Sequence, residues 1–129
     1  MGRILFADSE PHIRRLFVEE LQDEGYEVLA TATGEEVVRL ADDFRPDVVI
    51  LDVLLPDMSG VEAGRMVKGH RQETRIILFS HYRRPRNLAD LGADDYVMKS
   101  TDLGHLKRVV RRWLPSHNLA AANHKPYPA

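Results

Sequence analysis

The sequence predicts an α/β fold, a doubly wound parallel sheet of five strands with helices on both faces. Three short apolar runs carry the prediction: Ile4 to Ala7, Val48 to Leu51 and Ile76 to Phe79. They lack the polar alternation of a half-exposed strand, and each is closed by a polar residue, as in strands buried on both sides. Helical periodicities stand between them, so strand and helix alternate from end to end. A strand that returns parallel to the same sheet needs such a right-handed crossover.

The elements follow in order. After the first strand, Ile13, Leu16, Phe17 and Leu21 share one helical face, with Ser9 placed to cap the helix before Pro11 and Gly25 placed to end it. Glu27 to Thr31 is a weaker second strand. Thr33-Gly34-Glu35-Glu36 has the spacing of a capping box, and Val37, Leu40, Ala41 and Phe44 form the face behind it. Ser59-Gly60-Val61-Glu62 repeats the box after the third strand. Following the fourth strand, Pro85 opens a short fourth helix through Leu91, which Gly92 closes. Tyr96 to Met98 is the fifth strand, and Leu103, Leu106, Val110 and Trp113 line the last helix. Residues 1–114 are read as one domain. Residues 115–129, with Pro115, Pro126, Pro128 and three adjacent alanines, are read as a frayed C-terminal tail.

A chain of 129 residues can bury about two thirds of its unfolded surface in a single core. With 43% hydrophobic and 29% charged residues, disorder over most of the length is excluded. Eighteen Lys and Arg against 20 Asp and Glu leave a net charge of -2, so no global basic field holds nucleic acid or an anionic membrane. Lys107, Arg108, Arg111 and Arg112 on the last helix are read as a solvated stripe, and Arg83, Arg84 and Arg86 cluster beside Pro85. The absence of cysteine excludes a disulfide framework, a thiolate zinc site and a Cys nucleophile. It accords with a cytoplasmic location. No run is long enough for a transmembrane helix or a secretory signal.

Open α/β sheets bind ligands beyond the carboxyl ends of their strands. The residues just past the buried strands are Asp8, Asp52, Ser80 and Lys99, which puts two acids, a hydroxyl and an amine on one edge. Alone, Asp52 is a turn residue as readily as a reactive one; the other three raise its standing. Aspartate can attack phosphorus. Such a transfer needs a divalent cation, and Mg²⁺ accepts sites with one or two carboxylates. A lysine can pair with the phosphate, and a hydroxyl can donate to it.

Several motifs stand in one order: Ile4-Leu5-Phe6-Ala7-Asp8-Ser9-Glu10-Pro11, then Asp52 with Leu55-Pro56-Asp57-Met58-Ser59-Gly60, then Ser80, then Leu91-Gly92-Ala93-Asp94-Asp95-Tyr96-Val97-Met98-Lys99. Together they resemble the receiver domain of bacterial two-component response regulators, from residue 3 to about 114. The resemblance implies a flavodoxin-like sheet in the order 2-1-3-4-5. It also implies that Asp52 is the phospho-acceptor, that Asp8, Asp52 and the Leu54 carbonyl hold Mg²⁺, that Lys99 pairs with the phosphate, and that Ser80 and Tyr96 form a switch. Three departures stand out. Ser9 replaces a second acid beside Asp8, which predicts weak Mg²⁺ binding. Ser100 follows Lys99 where a cis proline is usual, so the loop is expected to be trans and displaced or strained. The stretch from Ser80 to Gly92 is shorter than the family norm, and His81 puts a bulky ring next to Ser80, where it crowds or gates the site.

The expected function is that of a single-domain response regulator, not an enzyme. It takes a phosphoryl group from a histidine kinase or phosphotransfer protein and signals by contact with an unknown downstream protein. The altered region after Ser80 predicts a monomer. The alternative is a degenerate receiver that docks proteins without being phosphorylated. A phosphohydrolase would need an acid two residues after Asp52, and that residue is Leu54.

Overall fold

In the computed structural model, residues 2–99 and 103–114 are described. The predicted tail at 115–129, and Ser100 with its peptide bond to Lys99, lie outside them. Five strands, β1 (Arg3–Ala7), β2 (Glu27–Thr31), β3 (Val48–Asp52), β4 (Arg75–Ser80) and β5 (Asp95–Met98), form one sheet in the order 2-1-3-4-5, and every neighbouring pair is parallel. The helices are α1 (Pro11–Asp23), α2 (Gly34–Phe44), α3 (Gly60–His70) and α4 (Leu103–Trp113).

The continuous apolar runs have a geometric cause. Alternate residues of a strand face opposite sides of the sheet. Ile4, Phe6, Val48, Ile50, Ile77 and Phe79 pack with α1 and α4 through Phe17, Leu21, Leu106 and Val110. Leu5, Ala7, Val49, Leu51, Ile76 and Leu78 pack with α2 and α3 through Val37, Ala41, Ala63 and Val67. With both faces covered, no polar residue is tolerated between them. Phe6, Phe17 and Phe79 meet at centroid distances of 5.1 to 6.0 Å beneath the carboxyl edge.

Gly25 ends α1 as expected. Its φ of 95° is left-handed, and the amides of Gly25 and Tyr26 return to the carbonyls of Gln22 and Leu21. Ser9 does not cap this helix. Glu10 occupies the capping position without a side-chain cap bond, and its own amide donates to the Asp8 carboxylate at 2.9 Å. Leu16, predicted to face the core, is 43% exposed. It lines an open cavity of about 370 Å³ with Ile13, Phe17, Phe79 and Leu103.

The short fourth helix contracts further, to a four-residue 3-10 helix at Leu88–Leu91. The chain before it is tethered at Tyr82 by the Tyr96 hydroxyl and at Arg84 by Asp95, so few residues remain to wind. Leu88 is buried and Leu91 partly so, a spacing of three that a 3-10 turn aligns on one side.

The basic stripe of α4 is more than a solvated face. Lys107 reaches Glu20 at 2.5 Å and Arg111 grips Glu24, which fastens α4 to α1. Arg112 and Arg84 converge on buried Asp95, which also accepts from the Trp113 indole at 3.0 Å. Burial alone would raise the Asp95 pKa, but these donors and its bond from the Tyr96 amide hold it below the usual carboxylate range.

Candidate functional site

The carboxyl ends of β1, β3 and β5 bring Asp8, Asp52 and Lys99 into direct contact. Lys99 Nζ stands 2.8 Å from Asp8 Oδ2 and 2.8 Å from Asp52 Oδ2. The two acids are built alike. Each gives its other oxygen to the amide two residues ahead, Asp8 Oδ1 accepting from Glu10 and Asp52 Oδ1 from Leu54, at 2.9 and 3.0 Å. These local turns fix both carboxylates and aim one oxygen of each at the ammonium. Two acids share one cation. Burial would lower the Lys99 pKa, but the hydrogen bonds and charges of Asp52 and Asp8 outweigh it and raise the value above that of free lysine.

Backbone contacts hold the ends of the strands. Arg14 donates to the Asp8 carbonyl at 2.7 Å, the Val53 amide to the Phe79 carbonyl at 3.0 Å, and the Lys99 amide to the Ser80 carbonyl at 2.7 Å. The last bond seats Lys99 beside β4, from where its side chain reaches both acids. Gly60 is held by its amide on the Val53 carbonyl, and a Cβ there would collide with the Asp52 carbonyl. No larger residue fits that turn.

Ser80 ends β4 next to the cluster, but its hydroxyl accepts the Tyr82 amide at 3.1 Å. Tyr96 is buried at the start of β5 and donates its hydroxyl to the Tyr82 carbonyl at 2.5 Å. Thus Ser80 and Tyr96, on consecutive strands, hold opposite sides of one residue. Leu54 contributes its backbone, and the residue is 63% exposed. Ser9 and Glu10 are exposed at the rim. His81 is exposed as well and lines the cavity that reaches Lys99.

The donor set suits a hard cation. Asp8 Oδ2 is fully buried, and among the described residues the Lys99 ammonium is the one group set against it. A buried carboxylate oxygen so placed, next to a second carboxylate, fits Mg²⁺, which needs only one or two protein carboxylates. Among the described residues no group of three His, Cys, Asp or Glu side chains could hold a metal, so a cation at Asp8 and Asp52 would need backbone, water or phosphate oxygens as well.

The sequence named Asp57 only as part of the Leu55–Gly60 motif, with no role of its own. Its carboxylate crosses to α2 and accepts the amides of Gly34 and Glu35, each at 2.9 Å. These bonds hold its pKa below the usual carboxylate range. The partners lie 22 and 23 positions away, so no local spacing betrays them.

Fold and site together define an open, doubly wound α/β protein with a carboxylate–lysine cluster at the carboxyl edge of its sheet. Residues 4–111 match the response regulator receiver domain, and the chain belongs to that family of two-component signalling domains. It is 38% identical over 128 residues to the transcriptional regulatory protein KdpE of Mycobacterium tuberculosis, covering 95% of this chain and 54% of KdpE. Among solved structures it is similar to the response regulator TrrA of Thermotoga maritima in complex with Mg(2+)-BeF, at 40% identity and a TM-score of 0.81, over 88% of this chain and 100% of that one. TrrA in complex with the histidine kinase ThkA is similar at 39% identity and a TM-score of 0.80, over 88% and 99% of the two chains. The chain spans between a quarter and about half of the length of several curated relatives. No described helix is long and apolar enough to cross a membrane.

Proposed function

We propose that the chain accepts a phosphoryl group on Asp52 from a phosphohistidine of a histidine kinase or phosphotransfer protein, and passes the signal on by protein contact. The observation that carries this reading is the pair of Lys99 contacts, 2.8 Å to each of two buried carboxylates. An Asp52 oxygen forms the new O–P bond as the P–N bond breaks, and the imidazole leaves with a proton. Lys99 then exchanges its carboxylate contact for a phosphate oxygen, which keeps a positive charge beside the added negative one. Asp8, Asp52 and the Leu54 carbonyl are the groups that would hold Mg²⁺, which supplies neutralisation of the phosphate charge. The complex of the similar TrrA with ThkA supports a histidine kinase as donor.

The switch runs through Tyr82. For the Ser80 hydroxyl to turn toward a phosphate, it must release the Tyr82 amide, and that frees the residue whose carbonyl holds Tyr96. Phosphorylation would thereby shift a pre-existing equilibrium of the loop after β4. Because that loop winds only a 3-10 turn, the surface it shares with β5 and α4 lacks a full helix, and we read the chain as a monomer in both states. Sedimentation with Mg²⁺ and beryllofluoride is expected to show no dimer. A stable dimer on activation would overturn that part.

Ser9 lies at the rim with no charge to offer. Ser9→Asp is expected to tighten Mg²⁺ binding about tenfold, the scale at which groups around a metal site act. Calorimetric titration checks it, and equal affinities would show that Ser9 costs the site nothing.

A further inference from the structure

The loop from Val53 to Ser59 carries the Leu54 amide that fixes Asp52, and the Leu54 carbonyl read above as a metal contact. Its base is pinned: Val53 donates to Phe79, Gly60 donates to Val53, and Leu54 bridges Ser59. The far side of the loop rests on α2. There, Asp57 takes the first two helical amides, Gly34 and Glu35, while Thr33 takes the third, Glu36, at 3.2 Å. The helix thus has a local cap of its own, supplemented by Glu36 bonds to Thr33 and to the Ala32 amide. Asp57 adds an anchor from a different segment. Met58 presses on the same spot, since a Cβ on Gly34 would strike its side chain.

We propose that Asp57 is a positioning residue for the phosphorylation site: by tying the Val53–Ser59 loop to the amino end of α2, it holds the Leu54 backbone where Asp52 and the cation need it. This rests on the reading of Asp52 and Leu54 given above. The bonds are charge-assisted, because the carboxylate faces two free amides and the positive end of the α2 dipole. Neutralising or removing it leaves Asp8, Asp52 and Lys99 untouched but frees the loop tip. Coupling is reciprocal, so a cation and phosphoryl analogue that order the loop must also quiet the α2 amides.

The test compares Asp57→Ala and Asp57→Asn with Thr33→Ala, which weakens the same helix end from its own side. Mg²⁺ affinity is measured by amide chemical-shift titration, and hydrogen exchange of the Gly34 and Glu35 amides is followed with and without Mg²⁺ and beryllofluoride. Asp57→Ala is expected to weaken Mg²⁺ about tenfold and Asp57→Asn by less, whereas Thr33→Ala changes it less than about twofold even if its melting temperature falls as far. The analogue is expected to slow exchange at both amides in the wild type and not in Asp57→Ala. Unchanged Mg²⁺ affinity in Asp57→Ala, or equal losses in Asp57→Ala and Thr33→Ala, would overturn the proposal. A wild type that binds Mg²⁺ with this dependence on Asp57 yet gains no phosphate would refute the phospho-acceptor reading while leaving the positioning role in place.

Discussion

Asp52→Asn is expected to leave the chain unable to gain phosphate from a small phosphodonor in the presence of Mg²⁺. Among the described residues Asp8 is the only other carboxylate on the lysine, and it is the worse placed, at 0% exposure against 6% for Asp52. Asparagine keeps an oxygen for the Leu54 amide, and the Asp8–Lys99 pair survives. The variant should therefore fold, with a melting temperature within a few degrees of the wild type. Intact mass and a thermal melt check the two halves. Phosphate appearing on Asp8 or Glu10 of the variant would show that the acceptor was misassigned.

Lys99→Ala should have the largest effect on stability. It leaves two buried carboxylates facing each other with no cation, and breaking a buried pair from one side costs about 3 to 5 kcal/mol. The loss should show at pH 7 in the absence of divalent cations. In the wild type the pH dependence follows from Lys99 itself. Because the folded-state pKa of Lys99 is raised, its contribution is complete below the unfolded value near about pH 10.4 and fades only as the pH climbs through the folded one. Urea midpoints across pH for both proteins read this directly. Coinciding curves at pH 7 would mean that the ion pairs contribute nothing to the fold.

Where the sequence spoke through a local rule, the structure agrees. The runs at Ile4, Val48 and Ile76 are continuous because each lies between two helical layers, and Thr33 and Ser59 both cap their helices, Thr33 on the Glu36 amide its spacing names and Ser59 on the Val61 amide one residue earlier than its spacing names. The residues past each strand meet because parallel strands point their ends the same way, which is why Asp8, Asp52 and Lys99 were legible as a group. The misses were tertiary. Ser9 yielded the cap position to Glu10, whose amide donates to Asp8, and the Pro85–Leu91 helix was cut down by tethers from Tyr96 and Asp95. The α4 arginines read as solvated until Glu24 and Asp95 were found beneath them. Asp57 stood in the motif after Asp52, but its contact was not legible, because its two amides belong to a helix on the far side of β3 in sequence.

The central claim, that the Asp8–Asp52–Lys99 cluster receives a phosphoryl group, is tested most directly by intact-mass measurement of the wild-type chain after incubation with a small phosphodonor, with Mg²⁺ and again with a chelator. The account predicts the mass of one phosphoryl group with Mg²⁺ and none with the chelator. No gain in either condition would contradict it and leave the chain a receiver that docks its partners unphosphorylated.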